Sequence, residues 1–110
     1  MGMRDQLEDM LAAGRDGALL RFSLGELLYQ AGETGPAITH LAEAVAQDPQ
    51  YSAAWKLYGR ALLEHGDTDA AIDALERGIA VAEDRGDNQA AKEMRVFLKR
   101  ARRRDSEGRN

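Results

Sequence analysis

The stretch Trp55-Lys56-Leu57-Tyr58-Gly59-Arg60-Ala61-Leu62 reads as one helix with a glycine at its centre. A glycine inside a helix costs about 1 kcal/mol relative to alanine. It is tolerated where another helix must come close. Shifting the chain by 34 residues brings Gly25 onto Gly59, Leu28 onto Leu62, Gly32 onto Gly66 and Thr34 onto Thr68. It also brings Ala37 onto Ala71, Ile38 onto Ile72, Leu41 onto Leu75 and Ala46 onto Ala80. An internal period of this length points to stacked helical units. Each position has a physical reading. Ala37 and Ala71 offer small partners to the helical glycines, and the paired leucines fill the space around that contact. Gly32 and Gly66 stand where a helix ends in a left-handed residue. Thr34 and Thr68 follow, where a hydroxyl caps free N–H groups.

These residues resemble the tetratricopeptide repeat, whose pattern runs Trp, Leu, Gly, Tyr, Ala, Phe, Ala, Pro. In residues 52–85, Trp55 and Gly59 match, while Tyr58, Leu62, Leu75, Gly78 and Glu83 replace Leu, Tyr, Phe, Ala and Pro. In residues 18–51, Leu24, Gly25, Ala37, Ala44 and Pro49 match, and Arg21 takes the place of Trp beside Phe22. The resemblance implies an all-α fold, an α-α superhelix built as a right-handed stack of antiparallel helix pairs. It also places Trp55 between helices.

Outward from the repeats, Met3, Leu7, Met10 and Leu11 fall one period before second-helix positions. Residues 4–13 are therefore expected to be the second helix of a truncated repeat, an N-terminal cap in which Met fills irregular space. Arg85-Gly86-Asp87-Asn88 reads as a helix stop followed by an N-cap. Ala90, Met94, Phe97, Leu98 and Ala101 then form an apolar stripe at helical spacing. Lys92 and Glu93 depart from the repeat pattern, so residues 88–104 are expected to be a basic capping helix and 105–110 a flexible tail. One domain over 1–104 with six helices, near 4–13, 17–31, 35–47, 51–65, 69–85 and 88–104, follows.

Composition agrees with an all-α chain. Apolar residues make up 44% of the sequence and charged residues 31%, enough for a modest core and a large solvated surface. With no cysteine, disulfides and thiolate chemistry are excluded, in keeping with a cytoplasmic location. The N-terminus has neither a secretory apolar segment nor a myristoylation pattern, since Gln6 stands where Ser or Thr is needed. No apolar run approaches the roughly 20 residues of a membrane span. The net charge of −4 divides into −9 over residues 1–87 and +5 over residues 88–110.

Signs of chemistry are few. His40 and His65 are isolated and do not make a zinc set. Asp67-Thr68-Asp69 lacks the glycine and closing Glu of a calcium loop. Phosphate-cradling and nucleophile-elbow motifs are absent. The expectation is a non-enzymatic chain with no cofactor and no metal.

What remains is binding surface. The resemblance implies that first helices line a concave groove receiving a peptide or helix of a partner protein. Register assigns to it Leu19, Phe22, Glu26, Tyr29 and Gln30 from the first repeat, and Ala53, Lys56, Arg60, Leu63 and Glu64 from the second. Lys56 and Arg60 share one helix face. They hold an acidic ligand group, or else they are solvated and paired with Glu26 or Glu64. Glu26, Ser23 and Leu57 stand where carboxylate-clamping relatives place Asn, which argues against a chaperone-tail ligand. Two alternatives to groove binding accompany this reading: self-association through the end caps as a homo-oligomer, and nucleic-acid binding through Lys99-Arg100-Ala101-Arg102-Arg103-Arg104. The acidic body, and Phe97 as the single aromatic beside that segment, argue against nucleic acid.

Overall fold

Glycines in the left-handed region end the helices where the sequence placed stops, with φ of 80° at Gly32 and 91° at Gly66. The computed structural model describes residues 2–108. In chain order it has α1 (Met3–Ala12), α2 (Ala18–Gln30), α3 (Thr34–Gln47), α4 (Ser52–His65), α5 (Thr68–Asp84) and α6 (Asn88–Gly108). The expected threonine caps are not formed. Thr34 and Thr68 are the first helical residues, and Asp67 is the cap of α5, its carboxylate accepting from the Ala70 N–H at 3.4 Å. Asp67 stands one position earlier, at the N-cap, where its side-chain oxygen reaches forward to an N–H of the first turn.

Consecutive helices pack as antiparallel hairpins, α2 on α3 and α4 on α5. The central glycines make this possible. A Cβ added to Gly25 would lie 2.6 Å from Leu41 Cγ, and one added to Gly59 would lie 2.5 Å from Leu75 Cδ2. The close partner is thus a leucine, not the small Ala37 or Ala71; the alanines let the backbones approach and the leucine branch fills the notch. Leu24, Leu41, Leu75 and Met94 are fully buried. Each such side chain contributes about 1.5–3 kcal/mol relative to exposure. Trp55 is 7% exposed and its Nε1–H donates to the Pro49 carbonyl at 2.8 Å, which satisfies the indole in the core. The smallest dimension of the molecule is 19 Å, the thickness of two helix layers of about 10 Å each.

The ends differ from the expected caps. α1 packs against α2 alone and contains no buried residue. Its methionines do not fill a gap: Met3 is 63% exposed and Met10 38%. At the other end α6 does not fray at residue 104 but runs four residues further, to Gly108. Arg104 ties this segment down, its guanidinium donating to the Leu63 carbonyl at 2.9 Å. Residues 109 and 110 of the expected tail lie outside the described residues. Where Arg21 replaces the repeat Trp, it makes a two-pronged contact with Asp16, at 2.8 and 2.9 Å, and touches His40. That guanidinium holds the Asp16 carboxyl well below its usual range. Phe22 fills part of the space, its ring centroid 5.0 Å from that of Tyr51.

Candidate functional site

α2 touches α4 and α4 touches α6, whereas α1, α3 and α5 make no close contact with one another. Helices that converge on one side and separate on the other bend the stack, so α2, α4 and α6 line its inner face. The charged and aromatic side chains of that face form a connected row. The Tyr29 hydroxyl donates to Glu64 Oε1 at 2.6 Å. The Arg60 guanidinium lies 5.5 Å from the Tyr29 ring centre and 5.4 Å from that of Phe97. Arg100 lies over Phe97 at 5.5 Å. Each cation–π contact at an exposed site contributes about 0.5–1 kcal/mol. Partial burial, aided by the Glu64 hydrogen bond, pushes the Tyr29 phenol up to about 12.

Lys56 takes a different partner from those expected. Its ammonium donates to Glu93 Oε2 at 2.9 Å, across the gap between α4 and α6, and Gln89 donates to the other oxygen at 3.1 Å. These contacts hold the Glu93 carboxyl below its usual value, the Lys56 hydrogen bond first among the causes. Arg60 sits 3.8 Å from Glu64, as the paired reading anticipated, but half-exposed and loosely held. Glu26 makes no ion pair among the described residues.

The remaining assigned residues divide. Leu19 is 68% exposed and borders, with Tyr51, Ala53 and Arg85, an open depression of about 340 Å³. Phe22 and Tyr29 are half-buried, and Glu26, Gln30 and Glu64 exposed. Leu63 does not belong to the surface. It is 5% exposed, in one cluster with Leu98 and Ala101, because α6 lies over it. Glu93, Phe97 and Arg100 were missed, since α6 was read only as a cap. A signal did exist: Gln89, Glu93, Phe97 and Arg100 recur at intervals of four, four and three, which puts them on one helix face.

The basic helix is partly committed to the body. Arg95 pairs with Glu83, Arg102 with Glu76 at 2.7 Å, and Arg104 with a backbone carbonyl. Among the described residues no group of three or more His, Asp or Glu side chains is placed to hold a metal ion. No described helix is long and apolar enough to cross a membrane.

Profiles of the tetratricopeptide repeat match residues 28–95 and residues 4–51. This chain belongs to the tetratricopeptide repeat family. It is 51% identical over 98 residues to a TPR repeat-containing protein of Pseudomonas aeruginosa, covering 89% of this chain and 93% of that one. Among solved structures it is similar to a Bordetella parapertussis protein at 43% identity and a TM-score of 0.80, over 96% of this chain and 92% of that one. The TPR2B domain of yeast Sti1, solved in complex with pHsp70, shares the fold at 15% identity and a TM-score of 0.83, over 92% and 81% of the two chains. Tetratricopeptide repeat proteins generally serve protein–protein interaction and are generally non-enzymatic scaffolds.

Proposed function

We propose that this tetratricopeptide repeat chain is a non-enzymatic module that receives a peptide or helix of a partner protein along α2, α4 and α6. The observation that supports this most is the row Tyr29, Arg60, Phe97 and Arg100, aromatic rings and guanidiniums alternating on the inner face. Arginine and aromatic side chains are the groups that most often carry binding energy at protein interfaces. Here they are held by one another, which lowers the entropy lost when a ligand settles on them. The Arg60 side chain is 48% exposed and its distance to Glu64 is long, so its charge stays available to an acidic group. Leu19, beside its depression, suits an apolar side chain of the same ligand.

Clamping of a chain-terminal carboxylate is not part of the proposal. Lys56 is neutralised by Glu93, and Glu26 stands where an Asn would serve such a clamp. The expected ligand is an internal segment with acidic and apolar side chains. Selection from a random peptide library, followed by nitrogen-correlation NMR of the labelled protein, tests this. Selected peptides should shift Leu19, Tyr29, Arg60 and Phe97, and Arg60→Ala should weaken binding by about tenfold, the loss of roughly 1.4 kcal/mol. Peptides that perturb only Asp73 and Arg77 on α5 would refute the groove.

A further inference from the structure

Arg60 is held in place without spending its hydrogen bonds. Arg4, Arg21, Arg85, Arg95, Arg102 and Arg104 all donate to carboxylates or backbone carbonyls. Arg60 instead lies against the Tyr29 and Phe97 rings, and none of its N–H groups donates to a described residue. Its ionic neighbour is Glu64, whose Oε1 stands 3.8 Å from the Arg60 Nε, too long for a hydrogen bond. The same oxygen accepts from the Tyr29 hydroxyl at 2.6 Å. A donor from α2 and a cation from α4 therefore converge on one carboxylate oxygen.

Glu64 is a poor permanent occupant of that place. It is the last residue but one of α4, where the helix dipole disfavours a negative charge. It follows Arg60 by four positions, the weaker order for a helical ion pair. Its side chain is half-exposed and can swing into solvent, and among the described residues only the Tyr29 hydroxyl hydrogen-bonds to it. A carboxylate arriving from outside is under none of these constraints. It can accept from the Tyr29 hydroxyl with one oxygen and from the unspent Arg60 N–H groups with the other, and such charge-assisted bonds are the strong ones. We propose that Tyr29 and Arg60 form a receptor for one Asp or Glu side chain of the ligand, which Glu64 fills in the free chain until the ligand displaces it. This rests on the reading of α2, α4 and α6 as the binding face. The group held in the free chain is itself a carboxylate, so the site is shaped for that chemistry. Glu64 also sets the selectivity, because a neutral or basic segment gains nothing by displacing it.

Sodium acetate, with ionic strength held constant by sodium chloride, probes the site without any peptide. In Glu64→Ala, acetate should give a saturable shift of the Tyr29 ring and Arg60 Nε–H signals in NMR of the labelled protein. Its apparent affinity should exceed that for the parent, where Glu64 competes, by at least about tenfold, and Glu64→Ala/Arg60→Gln should lose the response. An equal response in parent and Glu64→Ala, or one that survives Arg60→Gln, overturns the proposal and leaves the binding-face reading standing. The second probe is a peptide selected on the parent chain. Glu64→Gln removes the competing charge and should bind it about tenfold tighter, and exchanging the peptide's Asp and Glu residues for Asn and Gln should abolish that gain. A residue that merely supported the face would weaken binding when replaced, so unchanged or weaker binding by Glu64→Gln also overturns the proposal. Peptides that settle on another face overturn the binding-face reading, and with it the claim that the site serves a ligand. Both side chains are about half-exposed, and circular dichroism melting checks that each variant folds.

Discussion

A methyl group added at Gly59 would sit 2.5 Å from Leu75 Cδ2 and 2.7 Å from Leu75 Cγ. Carbon atoms in contact prefer about 3.5–4.0 Å, and Leu75 is fully buried, with no solvent to retreat into. Gly59→Ala therefore sets two effects against each other. Alanine favours the helix by about 1 kcal/mol over glycine. Overpacking a core costs about 1–3 kcal/mol, so the net effect is a destabilisation of up to about 2 kcal/mol. Leu75→Ala alone should cost about 2–5 kcal/mol. In that background the notch is empty and Gly59→Ala should stabilise, by about 1 kcal/mol. The coupling between the two positions is then the strain itself, about 1–3 kcal/mol, within the range found for residues in contact. Urea unfolding followed by Trp55 fluorescence and far-ultraviolet circular dichroism gives the four free energies. Coupling near zero, or a Gly59→Ala protein more stable than the parent, would show that the hairpin is not closed by this contact. Gly25 and Leu41, with the corresponding distances of 2.6 and 2.7 Å, supply an internal repetition of the experiment.

Tyr29 should titrate near pH 12, against an ordinary 10.0, when followed by phenolate absorbance in a Tyr51→Phe/Tyr58→Phe background. The folded chain then holds a proton that the unfolded chain has lost between those values, so stability falls as pH rises through that window. Glu64→Gln should lower the Tyr29 value, and a tyrosine titrating at 10 would refute the hydrogen bond. Ser52 is buried and its hydroxyl donates to Asp87 Oδ2 at 2.8 Å, the first cause of that carboxyl's lowered value. A depressed carboxylate stabilises the fold above its unfolded value of about 3.8 and ceases to do so as pH falls through its folded value. Ser52→Ala should raise the Asp87 value in a carboxyl NMR titration and move acid unfolding to higher pH; an unchanged Asp87 titration would contradict this.

The fold was legible because repetition multiplies weak local signals. One helical glycine means little, but Gly25 and Gly59 at one period, each followed by a leucine at the same distance, define a hairpin twice. Trp55 could be placed in the core by the same register. The inner face was less legible. Tyr29, Lys56, Arg60 and Glu64 could be assigned to one side of their helices, yet the partner of Lys56 could not. Glu93 stands 37 residues away, on a helix outside the repeat pattern. Leu63 was misplaced for a related reason: an apolar residue at a groove position is surface or core depending on how far the next helix leans over it.

By itself the sequence determined the number of helices, their stops and the glycine notches through which they pair. Backbone propensity and 34-residue spacing act over short distances and survive any change in side-chain detail. Only the tertiary structure decided how the ends and the inner face are finished. It carried α6 to Gly108, tied Arg104 to the Leu63 carbonyl, and set Arg60 between Tyr29 and Phe97. Those outcomes depend on long side chains with many rotamers and on the angle at which helices cross. The sum of packing across three helices selects among them, and no local stretch of sequence contains that sum.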